Sequence, residues 1–480
     1  MTRSIRKTKI VATVGPVSSS AKMLQRLMVA GVDIFRLNFS HGENEEKRDL
    51  IARIREVSAA LGREVGILGD LQGPKIRTGK MRDGAMPLSK GDEVIISTAD
   101  RLGEDGIIPT IYKDLPRDVR PGSRILLDDG LLELKVTAIQ GDDVSCVVVT
   151  GGILKNNKGI NLPGVQVSAP SLTDKDRIDL AFCLEEDVDY IALSFVRTAE
   201  DVEEMKRIIS ASGKQVPIVA KIEKPEALRN FNKILKVTDA VMVARGDLGV
   251  EIQAEKVPIY QKKIIDACNR AGKPVITATQ MLDSMVKNPR PTRAETSDVA
   301  NAIIDGTDAV MLSAETASGD YPIESVETMV KVALDVEHTS FIRQPEHGPE
   351  LSRGVAQSVA ESACRAAEAL NARAIVVFTQ SGSTAALISH YRPSTPIIAF
   401  TNSTQIRRRL SLFWGVRSTE IGIMENTDQQ IFEVEKRLFA SGFRKGELVV
   451  ITMGIPIETR GSTNLMKVHK LGTHGFYEIF

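Results

Sequence analysis

Eight short β-branched runs, set apart by amphipathic stretches, constrain this chain more than any other feature. They read KIVATVG (9–15), DIFRLNFS (33–40), EVGILGDL (64–71), DYIALSF (189–195), PIVAKIE (217–223), AVMVARGDLG (240–249), PVITATQ (274–280) and AVMLSAETA (309–317). Helical stretches such as AKMLQRLMVAG (21–31) and KRDLIARIREVSAALG (47–62) lie between most of them. Strand alternating with helix builds a parallel sheet from βαβ units, and continuous apolar runs suit strands buried on both faces. About eight such units in about 245 residues predict an α/β fold of the closed (β/α)8 type, a TIM barrel. An open doubly wound sheet is the competing arrangement. Against it, no GxGxxG follows the first strand, and polar residues end many strands rather than gathering at one switch point.

Two further domains are expected. Residues 72–169 change character to short alternating strands with Gly/Asp turns, as in KGDEVIIS, RPGSRILLDDG and LLELKVTAIQGDDVSCVVVTGG. They read as a small all-β domain, a β-barrel lid inserted in a barrel made of 1–71 and 170–343. RQPEHGPE (343–350) reads as a linker. Beyond it ARAIVVFT, PIIAFT and ELVVIT alternate with helices, so 344–480 is expected to be a third, smaller open-sheet α/β domain.

Several function classes are disfavoured. Acidic and basic residues balance at 62 each, which argues against nucleic acid as a partner. The start, MTRSIRKTKIVATVG, lacks a signal-peptide h-region, and no apolar run reaches the ~18 residues of a membrane helix. Cys146, Cys183, Cys268 and Cys364 are far apart, suggesting idle thiols in a reducing cytoplasm.

A barrel of this kind keeps its chemistry at the carboxyl ends of its strands. The second strand ends Arg36-Leu37-Asn38-Phe39-Ser40-His41-Gly42, and alternation puts Arg36, Asn38 and Ser40 on one face. An inward arginine needs an anion, either a phosphate or a barrel carboxylate. The fifth strand ends Lys221-Ile222-Glu223 and the sixth Arg245-Gly246-Asp247. Glu223 and Asp247 offer two carboxylates to one Mg2+, leaving positions for substrate oxygens and water. Lys221 offers a compact cation to a transferring phosphoryl group, and Gly246 lets backbone N–H groups approach a carboxylate. The plainer alternative, a buried Lys–Glu pair beside an ordinary Gly-Asp turn, is weakened because the two motifs fall on neighbouring strands. The seventh strand supplies Thr277, Thr279 and Gln280 and the eighth Ser313 and Glu315, groups suited to a proton relay through water. No GxxxxGK[ST] is present, so a P-loop does not cradle the phosphate.

Read in order, RLNFSHG (36–42), GDLQGPKIRTG (69–79), NNKGINLPG (156–164), KIE (221–223), MVARGDLGVEI (242–252), TATQML (277–282), NPRPTRAE (288–295) and DAVMLSAETASGDYP (308–322) resemble the pyruvate kinase family. The matches span residues 9–322, and shorter ones continue into the C-terminal domain. The resemblance implies phosphoryl transfer from phosphoenolpyruvate to ADP, giving ATP and pyruvate in the final step of glycolysis. A lyase or aldolase on a similar Glu/Asp–Mg2+ barrel, or an inactive scaffold, are the rivals. The family's roles carry over residue by residue. Arg36 would contact the phosphoryl group, and Lys221 would stabilise it during transfer. Glu223 and Asp247 would hold Mg2+ (or Mn2+). The Gly246 and Asp247 amides and Thr279 would hold the substrate carboxylate and enolate. Asn38, His41, Arg77 and Lys158 would approach the nucleotide. Asn38, Ser40, Asp70 and the Leu71 carbonyl would line a monovalent-cation site. A homotetramer is implied as well.

Two points refine these expectations. Potassium-dependent members usually carry Thr after the strand-three Asp and Glu within GPEIR; here those positions are Leu71 and Lys75. An ammonium at Lys75 would supply the cation's charge and repel K+, so no potassium requirement is expected. Thr379-Gln380-Ser381-Gly382-Ser383-Thr384, between a strand and a helix start, reads as a phosphate nest or a simple capped turn. In regulated members the equivalent loop holds a sugar-phosphate effector, so activation by a phosphorylated metabolite is expected.

Overall fold

The computed structural model describes residues 6–339, 341–342, 354–422, 426–454 and 463–473. The predicted linker 343–350 lies outside the described residues. All eight runs become strands of one closed barrel. They are β1 Lys9–Thr13, β2 Ile34–Asn38, β3 Gly66–Asp70, β4 Tyr190–Leu193, β5 Ile218–Ile222, β6 Ala240–Ala244, β7 Val275–Ala278 and β8 Ala309–Leu312. Every pairing is parallel, and β8 returns to β1. Alternation sends Val11, Ile34, Leu68, Val219, Met242 and Ile276 into the barrel, where they form one buried cluster. Their neighbours along each strand pack outward against the helices. Burying each such aliphatic chain contributes about 1.5–3 kcal/mol.

A fourfold device closes the amino-terminal end of the barrel. Asp33, Asp189, Asp239 and Asp308 each precede an even-numbered strand. Each accepts the backbone N–H of the preceding strand: Ile10 at 2.9 Å, Ile67 at 2.7 Å, Ile218 at 2.9 Å and Val275 at 2.9 Å. Each carboxylate also meets a cation, respectively Arg6, Arg55, Lys206 and Arg392. Pairing repays part of the cost of burying Asp189 and Asp308, the two that are fully enclosed.

The insertion folds around a core of its own that includes Ile96, Ile108, Ile125 and Leu134. The expected small β-barrel takes the form of a six-stranded sheet. Its order is Ile160–Asn161, Arg124–Leu127, Leu132–Gln140, Asp143–Thr150, Glu93–Ser97 and Ile107–Pro109. A two-stranded ribbon, Ala85–Leu88 with Gly152–Lys155, lies beside it. The chain enters and leaves through a paired hinge at which Arg77 bridges Gly159.

The C-terminal sheet is open, in the order Val416–Glu420, Ile397–Thr401, Ala374–Phe378, Leu448–Met453 and Leu465–Lys470. The first four strands are parallel and the last is antiparallel. This domain seats on the bottom of the barrel. Leu412 joins the barrel's interior cluster, the Tyr190 hydroxyl donates to the Arg409 carbonyl at 2.6 Å, and Lys9 donates to the Val416 carbonyl at 2.6 Å. Arg392 reaches Asp308 at 3.0 Å with both side chains buried. Trp414, the chain's one tryptophan, has both the Lys7 ammonium and the Arg392 guanidinium 5.0 Å from its ring centre. The four cysteines are free and buried, and burial raises all four thiols well above their usual range, so they are inert. Among the described residues no helix is long and apolar enough to cross a membrane.

Candidate active site

The carboxyl ends of β2, β3 and β5 bring four charged groups into one buried network. The Lys221 ammonium lies 3.2 Å from Asp70 Oδ1, 3.0 Å from Glu223 Oε1 and 2.8 Å from the Ser194 hydroxyl. Arg36 Nε meets the other Asp70 oxygen at 2.6 Å, and its NH1 donates to the Thr13 hydroxyl at 3.1 Å. Of the two anions weighed for Arg36, the structure supplies the barrel carboxylate. Register explains the meeting, since Asp70 lies opposite Asn38 on β2 and Ala192 on β4. Burial alone would lower the Lys221 pKa, but Asp70 and Glu223 outweigh it and hold that pKa above the ordinary lysine value. Burial would raise the Asp70 carboxyl, but Lys221 and Arg36 keep it below the usual range. Glu223 goes the other way: burial and the nearby Asp247 carboxylate push it up against the pull of Lys221.

Glu223 and Asp247 thus repel each other at the barrel mouth. Two hard oxygen donors in mutual repulsion fit Mg2+, which takes one or two carboxylates and completes its shell with water and substrate. Among the described residues no cluster of three or more His, Cys, Asp or Glu side chains forms a fuller metal cage. Glu223 is fixed through its second oxygen, which accepts the Phe195 N–H at 2.8 Å.

The mouth is strained. Phe195, Thr279 and Gln280 have φ of 54°, 69° and 53°, a left-handed conformation unusual for aromatic and β-branched residues. Such backbone costs about 1–3 kcal/mol per residue and persists where the surroundings impose it. Arg245 imposes it here. It donates to the Thr279 carbonyl at 2.7 Å and is anchored by Asp298 at 2.7 Å. The Thr279 hydroxyl accepts the Gly246 N–H at 2.7 Å and donates to the Ala278 carbonyl at 2.6 Å. The Gly246 amide, assigned above to the substrate carboxylate, is therefore engaged by Thr279. A Cβ at Gly246 would stand 3.3 Å from that hydroxyl, so any larger residue would require the Thr279 side chain to give by a few tenths of an ångström.

Thr277 corrects an expectation. It faces away from the mouth and donates to the Thr307 hydroxyl at 3.0 Å. Residues 276 and 278 point inward, and the left-handed turn at Thr279 breaks the alternation that placed Thr277 beside it. Glu315 also departs from its expected part. It is buried, and its oxygens accept the Ser313 N–H at 2.6 Å and the Leu282 N–H at 3.1 Å. It braces two loops, which leaves the buried Ser313 hydroxyl, without a hydrogen-bond partner among the described residues, as the group suited to a relay.

Of the groups expected to line a monovalent-cation site, three are engaged within the chain. Asn38 Oδ1 accepts the Ser40 N–H at 3.1 Å, the Leu71 carbonyl accepts the Ser194 hydroxyl at 2.7 Å, and Asp70 is shared by Lys221 and Arg36. Lys75 does not contact Asp70. It lines a cavity of about 30 Å3 at the hinge together with Asp247, Lys224 and Phe195. Lys158 pairs with Asp128 at 2.8 Å. His41 is depressed below the usual histidine range by burial and by the positive charges of Arg77, Lys75, Arg36 and Lys47, so the hinge brings Arg77 and Lys75 toward it.

In the C-terminal domain Gly382, with φ of 87°, opens the helix Ser383–His390. Its N–H goes to the Thr379 hydroxyl at 2.9 Å, Ser381 and Ser383 hydroxyls pair at 3.0 Å, and Thr384 pairs with Thr463 at 2.5 Å.

Sequence reading passed over Ser194, Thr13 and Arg245. Ser194 was quoted within a strand, and parity with Ala192 was the signal that could have placed it in the barrel. Nothing local marks Arg245 as the brace of a loop more than thirty residues away.

The family described as pyruvate kinase, barrel domain, matches residues 5–326, and that described as pyruvate kinase, alpha/beta domain, matches residues 357–469. A pyruvate kinase of Geobacillus stearothermophilus is 49% identical over 474 residues, covering 97% of this chain and 80% of the relative. One from Mycobacterium intracellulare is 47% identical over 469 residues, covering 97% and 99%. The crystal structure of a pyruvate kinase from Cryptosporidium parvum superposes with a TM-score of 0.89 at 38% identity, covering 97% of this chain and 96% of that one.

Proposed function

The chain belongs to the pyruvate kinase family, and from that premise we propose how its barrel mouth divides the work. It is a phosphotransferase that carries the phosphoryl group of phosphoenolpyruvate to ADP, giving ATP and pyruvate. The carrying observation is the Lys221 ammonium, kept charged in a buried site by Asp70 and Glu223.

Arg36, anchored on Asp70, binds the phosphoryl group of the substrate from one side. Lys221 faces the same group, and its charge matters most as the group leaves the enol oxygen for ADP. Glu223 and Asp247 would hold Mg2+, which supplies electrostatic stabilisation of the charge on the phosphoryl and carboxylate oxygens. Thr279 positions the enolate end, and the Asp247 amide, in the first turn of its helix, faces the substrate carboxylate. Asn38, His41, Arg77 and Lys158 take the nucleotide, Lys158 exchanging Asp128 for phosphate. The enolate left behind gains its proton at carbon through water ordered by Ser313. Closure at the hinge excludes water, which would otherwise compete with ADP for the phosphoryl group.

Lys75 enters this reading as an internal cation at the hinge, acting on the nucleotide side of the pocket rather than on Asp70. The assay that tests the function also tests this point. ATP formation from phosphoenolpyruvate and ADP is followed with Mg2+ in Tris freed of K+ and NH4+, then with KCl added. Near-equal rates are expected, and Lys75→Glu is expected to create a potassium requirement, more fully with Leu71→Thr. Strong stimulation of the unaltered protein by KCl overturns the Lys75 reading, and no ATP in either buffer overturns the function.

Loop 379–384 completes the proposal as a phosphate site for an activating metabolite. Its support is a run of hydroxyls around a left-handed glycine at a helix start. A screen of sugar phosphates and nucleotides is expected to yield one that shifts the phosphoenolpyruvate saturation curve, and a curve unmoved by all of them removes the site. A homotetramer in the cytoplasm belongs to the same reading, and buried free thiols suit a reducing compartment.

A further inference from the structure

Lys47 is placed against two rules at once. It sits in the first turn of the helix Asn44–Ala60, where the helix dipole disfavours a cation, and it is 6% exposed, where burial disfavours any charge. Burial accordingly lowers its pKa. What offsets these costs is visible. The ammonium donates to the His41 carbonyl at 2.7 Å, to the Gly42 carbonyl at 2.8 Å and, more weakly, to the Glu43 carbonyl at 3.5 Å, and it stands 4.9 Å over the Phe39 ring. Three donors meet three consecutive acceptors. A second ammonium continues the pattern two residues upstream of His41. Lys175 donates to the Phe39 carbonyl at 2.8 Å and is anchored by Asp179 at 2.5 Å. The loop that leaves β2 with Ser40 and His41 is thus clamped by its backbone carbonyls, from beneath, by side chains rooted in two different helices.

A loop whose only task was to connect a strand to a helix would not need a buried charge. We propose that Lys47, assisted by Lys175, is a positioning residue for the nucleoside diphosphate: it fixes the path of residues 39–43 so that His41 and Asn38 meet the nucleotide in one geometry. This rests on the reading of that loop as the nucleotide's, given above. Lys47 is covered by the loop it holds and touches no reacting group.

The clamp predicts a split between the two substrates, because phosphoenolpyruvate is held from the far side by Arg36, Lys221 and the β6–β7 loops. Lys47→Met, Lys175→Met and His41→Ala are made in the full chain, with Lys47→Met also combined with His41→Ala. Initial rates are measured over ADP at saturating phosphoenolpyruvate and the reverse, alongside thermal unfolding. Lys47→Met is expected to raise KM for ADP about tenfold with KM for phosphoenolpyruvate and kcat within about threefold. Lys175→Met, whose side chain is half exposed, is expected to move KM for ADP in the same direction by about two- to threefold. Adding Lys47→Met to His41→Ala is expected to cost less than it does alone, as for residues that act through one another. Equal damage to both substrates with a lowered Tm, or strictly additive effects, overturns the clamp while leaving the nucleotide reading intact. An unchanged KM for ADP in His41→Ala overturns the nucleotide reading itself. Should Lys47→Met fail to fold, Lys175→Met decides the matter: unchanged kinetics there overturn the proposal.

Discussion

Lys221→Met is expected to lower turnover about a thousandfold while leaving phosphoenolpyruvate binding largely intact. Methionine nearly preserves the volume and removes the charge. The ammonium faces two carboxylates in the resting site, so most of its attraction is already committed before substrate arrives. What it adds during reaction is stabilisation of charge that changes hands as the phosphoryl group moves. The substitution has a second effect. Asp70 and Glu223 lose the cation between them, and an uncompensated buried carboxylate costs about 3–5 kcal/mol unless it takes up a proton. Glu223, already raised by burial and by Asp247, is the one expected to protonate. Single-turnover kinetics with a parallel unfolding curve separate the two effects. Turnover within a few-fold of the unaltered protein, at unchanged Tm, would remove Lys221 from the reaction.

The second large effect concerns the two carboxylates. Glu223→Gln and Asp247→Asn should both raise the Mg2+ concentration for half-maximal rate, by about tenfold or more, because a neutral amide is a poor ligand for a hard dication. The two should differ. Glu223 accepts from Lys221 with one oxygen and from the Phe195 N–H with the other, so a glutamine there must aim its NH2 at another donor. Asp247 is half-buried and free of that conflict. Glu223→Gln is therefore expected to be the more damaging. Titration of Mn2+ binding by its paramagnetic signal checks affinity apart from turnover, and an unchanged half-saturation in both variants would take these residues out of the metal site.

Most of the architecture was legible because period and position carried it. A run such as PIVAKIE states its buried character, its length and the chemistry at its end in seven residues. The barrel, the insertion and the site strands β2, β5 and β6 follow from runs of that kind. The strands Val416–Glu420 and Leu465–Lys470 were missed for the converse reason: VRSTE and LMKVHK are polar edge strands without an apolar run. The site was legible where side chains alternate regularly and illegible where the backbone turns left-handed. Thr277 and Thr279 share parity in sequence, yet a φ of 69° sends only Thr279 to the mouth. Glu315 looked like a relay group because a carboxylate at a strand end suggests one; the amides of Ser313 and Leu282 that occupy it belong to distant or bent backbone. The fourfold aspartates were present as VDIF, VDYI, TDAV and TDAV, each just before an even strand. Their common task is a hydrogen bond across to the preceding strand, which only a folded barrel discloses.

One placement has an optical consequence. Trp414 is the chain's only indole, and two cations lie near its ring where the C-terminal domain meets the bottom of the barrel. Near-ultraviolet excitation at the red edge therefore addresses a single chromophore at a single seam. Its emission is governed by the local field of Lys7 and Arg392, so a shift of colour or intensity registers a change in how the two domains sit together. The protein carries a built-in reporter for that seam, readable without any label.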